Sequence, residues 1–179
     1  MAGLDLNRQY RTPSRSITPS VYYLKRLLKS YRLGGHNSRV QFMCDLHGHS
    51  RKFDSFIYGC KSKAHFRERI LPLMLSRISE DFDFKKCSFS VSSSKRGTGR
   101  VVGWGEMGIQ NCYTLEATFA GSSIGSKAGL HFHTRDYEGV GRALCLALEE
   151  WWGCKQEPGR MSKLNHEIEV KKNTDSKSY

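Results

Sequence analysis

Apolar and polar positions along this 179-residue chain follow two different periods, and the changes of period predict its elements. The stretch "ITPSVYYLKRLLKSYRLGG" repeats apolar residues at helical spacing, with Val21, Leu24, Leu28 and Tyr31 on one face. Thr18 is placed to cap this helix, Pro19 suits its first turn, and Gly34 and Gly35 stop it. "RVQFMCDL" then switches to a period of two, with Val40, Phe42, Cys44 and Leu46 on one side of a strand. His47 falls at or just past the end of that strand, on the side of Met43 and Asp45. "SFIYGC" predicts a second short strand, and "AHFRERILPLMLSRI" a helix that Pro72 starts or kinks. "CSFSVSSS" alternates like a strand, and "RGTGR" reads as a basic, turn-prone loop. In "NCYTLEATF", a strand, Tyr113, Leu115, Ala117 and Phe119 face one way and Cys112, Thr114, Glu116 and Thr118 the other. A last helix spans 134–152, capped by Thr134, with Val140, Leu144, Ala147, Leu148 and Trp151 along its core face. After Gly153 no period is visible, so 154–179 is expected to be a flexible polar tail. Helices alternating with short strands predict an α/β domain, a mixed β-sheet flanked by helices.

Composition narrows this picture. A hydrophobic fraction of 38% and an aromatic fraction of 11% suit a globular body, and 179 residues suffice to bury a core as one domain. No apolar run approaches the about 18 residues of a membrane span, and "MAGLDLNRQYRTPSRS" has no apolar signal core. The six cysteines show no CxxC spacing and mostly lie in apolar runs, as reduced, buried side chains of a cytoplasmic protein would. The net charge of +12 is uneven: residues 1–60 hold 10 Lys and Arg against 3 Asp and Glu. Such a field attracts polyanions without specifying which.

Candidate chemistry gathers at strand ends, where α/β sheets bind ligands. His47, the first histidine of "CDLHGHSRKFDSFIYGC", sits at one. Glu116 is a carboxylate within an otherwise apolar strand, where it is costly unless paired, metal-linked or used. A structural ion pair is the competing explanation. His49, His131 and His133 are individually no better placed to hold a metal, and one zinc needs three or four ligands.

Four stretches, "GLDLNRQYRTPSRSITPSVYYLKRLL", "CDLHGHSRKFDSFIYGC", "KRGTGRVVGW" and "YTLEATFAGS", make the chain resemble the cytosolic carboxypeptidases over about residues 3–152. These are zinc metallocarboxypeptidases that trim glutamates from tubulin and other acidic proteins. The resemblance implies a zinc-carboxypeptidase-like fold with one zinc ion per complete catalytic domain. It implies that His47 is a zinc ligand and Glu116 the general base that activates water. Asn7 and Arg8 of "DLNRQ" match the pair that grips the terminal carboxylate of the substrate. Asp5 matches a carboxylate that orients another zinc-binding histidine. Arg100 of "GTGR" lies in the segment that lines the pocket for the departing residue, with Lys95 and Arg96 as close competitors. The expected partners are acidic polypeptide C-termini, tubulin or microtubules among them, with no membrane and no specific nucleic acid. The expected location is cytoplasmic, at microtubules or cilia.

One departure qualifies the match. The family's H-x-x-E pair, upstream of "DLNR", supplies the other two protein ligands, and no H-x-x-E occurs in this sequence. "HNSR" at 36–39 puts arginine where the carboxylate belongs, and an arginine that polarises the scissile carbonyl in the family is also missing. Residues 1–153 are therefore expected to be the C-terminal portion of a catalytic domain, incomplete on its N-terminal side and inactive alone. A short product that keeps the peptide-binding surface as a scaffold is one alternative, and a site completed by a separate polypeptide is another. A basic nucleic-acid-binding module is a third, but no motif with interleaved aromatics supports it.

Overall fold

The computed structural model describes residues 3–33, 40–62 and 66–175. In chain order its regular elements are α1 (Pro19–Leu33), β1 (Phe42–His49), β2 (Ser55–Tyr58) and α2 (Ile70–Ile78), then α3 (Gly99–Gly105), β3 (Asn111–Thr118), α4 (Thr134–Gln156) and α5 (Pro158–Asp175). The three strands form one sheet in the order β1-β3-β2. The strand last in sequence takes the centre; β3 and β2 are largely buried, while β1 stays half-exposed along its length. This is the α/β arrangement of strands and helices that the periodicity predicts.

The chain divides into two compact units, and the division falls inside β1 and β3. Unit 1 comprises Met1–Asp45, Gly59–Lys61 and Phe89–Thr114. Its core is built from Val102, Met107, Ile109 and Cys112, with Tyr10, Leu28, Val40, Met43 and Trp104 packed against them. Unit 2 comprises Leu46–Tyr58, Ser62–Ser88 and Leu115–Tyr179. There α2 buries Ile70, Leu71, Leu73, Met74 and Leu75, and it packs on α4, with α5 laid against both. Pro72 sits in the first turn of α2, where its missing N–H breaks no helical bond.

Asp54, at the entrance to β2, is fully buried and stands in the left-handed region at φ 67°, which Asp tolerates better than most residues. It pairs with Lys86 and accepts hydrogen bonds from the Ser122 hydroxyl at 2.9 Å and from the Ser123 amide and hydroxyl at 2.6 Å each. Burial by itself would raise its carboxyl pKa, but Lys86 and the serines outweigh burial and hold it below the ordinary value. Lys127 joins Asp81 at 2.6 Å and Asp136 at 2.8 Å, tying the segment before α4 to the one after α2.

Several expectations need correction. The inward face of α1 is Val21 and Lys25 with Leu28 half-buried, not Leu24 and Tyr31, which are exposed. Lys25 points inward because its amine finds Glu106 Oε2 at 2.7 Å and the Arg11 carbonyl at 2.7 Å, so the helix is rotated towards an ion pair. Thr18 uses its hydroxyl on Ser14 rather than on the first turn of the helix. Residues 87–94 make no strand. Ser88 forms a single bridge with Tyr58, after which the serine-rich segment turns, Ser92 and Ser94 contacting each other by their hydroxyls. The second half of "RGTGR" opens the short helix α3. The first residue of α4 is Thr134, but His133 takes the cap position, its N–H held by Asp136 Oδ2 at 2.9 Å. Finally, most of 154–179 is not a flexible tail: α4 continues to Gln156 and α5 follows, burying Leu164 and Ile168. Met161, Leu164 and Ile168 stand at i, i+3 and i+7, a sparse stripe diluted by charge. Gly34, Gly35 and the "HNSR" stretch at 36–39 lie outside the described residues, as do 63–65 and 176–179.

Candidate active site

The pairing of β1 with β3 decides which side chains meet. His47 lies within β1, which runs on to His49, and Glu116 lies within β3. In unit 2 the His47 Nδ1 and Glu116 Oε1 atoms stand 3.9 Å apart. Glu116 is buried, whereas the His47 side chain is about one-third exposed at 32%. A buried carboxylate beside a partly open imidazole can take up and return a proton where solvent or substrate has access. Gly48, between the two histidines of the motif, lies under Phe119: a Cβ there would stand 2.2 Å from the ring, and this exposed side chain would have to swing aside.

The other three candidate histidines, His49, His131 and His133, make contacts elsewhere. His49 Nδ1 accepts the N–H groups of Arg51 and Lys52, both at 3.1 Å, so it builds the turn after β1. Burial and then the nearby Lys52 and Arg51 lower its pKa, which favours the neutral acceptor form. His131 Nδ1 lies 3.0 Å from the Ala120 carbonyl, and His133 Nδ1 pairs with Asp136 at 2.9 Å. Among the described residues no group of three or more His, Cys, Asp or Glu is placed to hold a metal ion. His47 and Glu116 alone do not fit a zinc centre, which takes three or four protein ligands or three plus water.

Unit 1 brings together the residues of "DLNRQY" and "KRGTGR". Asp5 caps the short turn at Leu6–Arg8, its Oδ1 accepting the Asn7 N–H at 2.9 Å, and its carboxylate lies 3.5 Å from Arg8. Arg8 also donates to the Asn7 carbonyl at 2.9 Å, and its side chain is 36% exposed. Asn7 Oδ1 accepts the Gly99 N–H at 2.8 Å, and the Tyr10 N–H donates to the Gly97 carbonyl at 3.1 Å. These bonds bring the two backbones so close that a Cβ on Gly97 would stand 2.4 Å from the Arg8 carbonyl oxygen. Arg100 is only 5% exposed, and its Nε donates to the Gly59 carbonyl at 3.3 Å. On this segment Arg96 is the exposed cation, and Lys95 is half-buried. The sequence reading did not single out Tyr10, Gly97 or Gly99 as the ties between the motifs. The doubled glycine of "GTG" was the available signal.

The arrangement of strands and helices that carries these residues matches a known architecture. The chain superposes on a solved metallo-carboxypeptidase from Burkholderia cenocepacia with a TM-score of 0.64 and 17% identity, covering 82% of this chain and 38% of that one. The fold is therefore that of a metallocarboxypeptidase. By sequence the chain belongs to the cytosolic carboxypeptidase family. It is 40% identical over 175 aligned positions to cytosolic carboxypeptidase 2 of Danio rerio, spanning 95% of this chain and 23% of that protein. It is 41% identical over 192 positions to cytosolic carboxypeptidase 3 of Mus musculus, spanning 98% and 19%. The chain thus spans about a fifth of the length of these relatives. No family model matches it.

Proposed function

We propose that this chain forms part of a cytoplasmic zinc metallocarboxypeptidase that removes C-terminal residues, glutamates above all, from acidic protein tails such as those of tubulin. The observation that carries this reading is the approach of His47 and Glu116 to 3.9 Å from motifs far apart in sequence. In the proposed enzyme Glu116 takes the proton from the attacking water and returns it to the departing amine. Arg8, set by Asp5 and by the Asn7 carbonyl, holds the terminal carboxylate of the substrate, with Asn7 beside it. His47 is assigned as one zinc ligand. The described residues do not by themselves complete a metal centre. Arg100, or the more exposed Arg96, reads the acidic residue being released.

The test is a segment exchange. This chain replaces the matching stretch of cytosolic carboxypeptidase 2, and release of glutamate from a peptide ending in glutamate is measured. Activity in the hybrid is expected, and Glu116→Gln should lower kcat by about 10²–10⁴-fold, the usual range for loss of a proton-transfer group. A folded hybrid without activity, or an unimpaired Glu116→Gln hybrid, would overturn the assignment.

A further inference from the structure

Where β3 ends at Thr118, the strand is fastened from α4. The Tyr137 hydroxyl donates to the Thr118 carbonyl at 2.8 Å, and the Tyr137 ring stands edge-on to Phe132, 5.8 Å between centroids. Just beyond, the Ala120 carbonyl accepts the Phe132 N–H at 2.9 Å. Tyr137 is in the first turn of α4, and that turn is itself anchored. Asp136 is buried and holds the His133 N–H, and Lys127 links Asp136 to Asp81. All of these residues belong to unit 2, as do His47 and Glu116.

We infer that Tyr137 is a positioning residue for Glu116: its hydroxyl fixes the carbonyl end of β3 and so sets where the Glu116 carboxylate stands relative to His47. The inference rests on the reading of Glu116 as the proton acceptor. Glu116 lies two residues before Thr118, about 7 Å along a strand that rises about 3.3 Å per residue, and side chains at this spacing share a face. A shift at Thr118 is therefore passed to Glu116 with little slack. The same strand end is coupled to β1, because the Phe119 N–H donates to the His49 carbonyl at 2.9 Å, two residues past His47. One hydroxyl thus steadies both strands of the 3.9 Å approach. Water would satisfy the Thr118 carbonyl about as well in energy, but it would leave the strand end unfastened. The contribution of Tyr137 to the core is its ring against Phe132, and that contact needs no hydroxyl. The hydroxyl serves the strand.

The test uses the hybrid enzyme that carries this chain. Tyr137→Phe keeps the ring and its Phe132 contact and removes only the hydroxyl. It should lower kcat by about 10–100-fold, the scale of a misplacement on the order of 1 Å. KM for the glutamate-ending peptide should stay unchanged, because the terminal carboxylate is held by Arg8. In the Glu116→Gln background the same change should cost nothing further, since a group that acts only through Glu116 loses its effect with it. Tyr137→p-aminophenylalanine restores an N–H donor at the same place and should recover most of kcat. Hydrogen exchange over residues 112–121, read by mass spectrometry whether or not the hybrid is active, should quicken in Tyr137→Phe. A hybrid in which Glu116→Gln costs nothing would overturn the catalytic reading and this inference with it. A hybrid crippled by Glu116→Gln but indifferent to Tyr137→Phe would overturn the inference alone. So would losses that multiply in the double variant, a failed rescue, or unchanged exchange.

Discussion

At the scale of single residues, the tie between the "DLNRQY" turn and the "GTG" segment is tight enough to be tested at one atom. Gly97→Ala places a methyl group 2.4 Å from the Arg8 carbonyl oxygen, against backbone that cannot swing aside. The Arg8 turn should be displaced. In the hybrid enzyme KM for peptides with a free C-terminus should rise, with a loss of about 1–3 kcal/mol of stability. Steady-state kinetics together with urea unfolding check both. Arg100 separates two roles. Its Nε bonds the buried Gly59 carbonyl, so Arg100→Ala should lower the melting temperature by leaving that acceptor unpaired, at a cost of about 1–3 kcal/mol. If Arg100 also reads the departing residue, glutamate-ending peptides should suffer more than alanine-ending ones. If stability falls and the ratio stays put, the selectivity belongs to Arg96 or Lys95.

At the scale of elements, α5 is the sharpest departure from the sequence reading. Truncation after residue 157 removes the buried Leu164 and Ile168 and the Arg77–Glu167 pair. It should lower the unfolding midpoint distinctly, and Ile168→Ala alone should cost about 2–5 kcal/mol. A dispensable tail would show neither effect in a denaturant titration. The contrast between α4 and α5 shows what periodicity can reveal. In α4 the predicted row is dense, and Val140, Leu144, Ala147 and Trp151 are buried as the spacing predicts, with Leu148 half-buried. In α5 two buried residues among many charges gave too weak a row to detect. The strands around His47 and Glu116 were legible from their short apolar runs, but burial does not follow the alternation: β3 buries residues 112–116 in a row, and Leu46 and Phe119 are exposed. The rotation of α1 was not legible, because a lysine faces inward only when Glu106 and the Arg11 carbonyl are there to receive it, and those partners are distant in sequence. Serine-rich alternation at 87–94 misled for a local reason, since serine hydroxyls compete for backbone and neighbours.

At the scale of the whole molecule, acid should be the sensitive direction. The carboxyls of Asp54, Glu80, Asp136 and Glu167 are all held below their ordinary values. Hydrogen bonds and cations hold them there: Lys86 and two serines for Asp54, Ser126 for Glu80, Lys127 for Asp136 and Arg77 for Glu167. Groups more acidic in the folded chain than in the unfolded one contribute stability above the unfolded carboxylate pKa of about 4, and this is lost as pH falls through the lower folded values. Urea midpoints should therefore hold steady at neutral pH and drop below about pH 4, most steeply for the wild type. Asp54→Asn, less stable at neutral pH, should show a shallower fall. The concentration of charge in unit 1 has a practical consequence of its own. Most of the net positive charge belongs to unit 1, so a carboxylated sensor chip or a cation-exchange bead will capture the chain chiefly through that unit. Surface-based measurements therefore need enough salt to screen the matrix, or they will report the support instead of the protein.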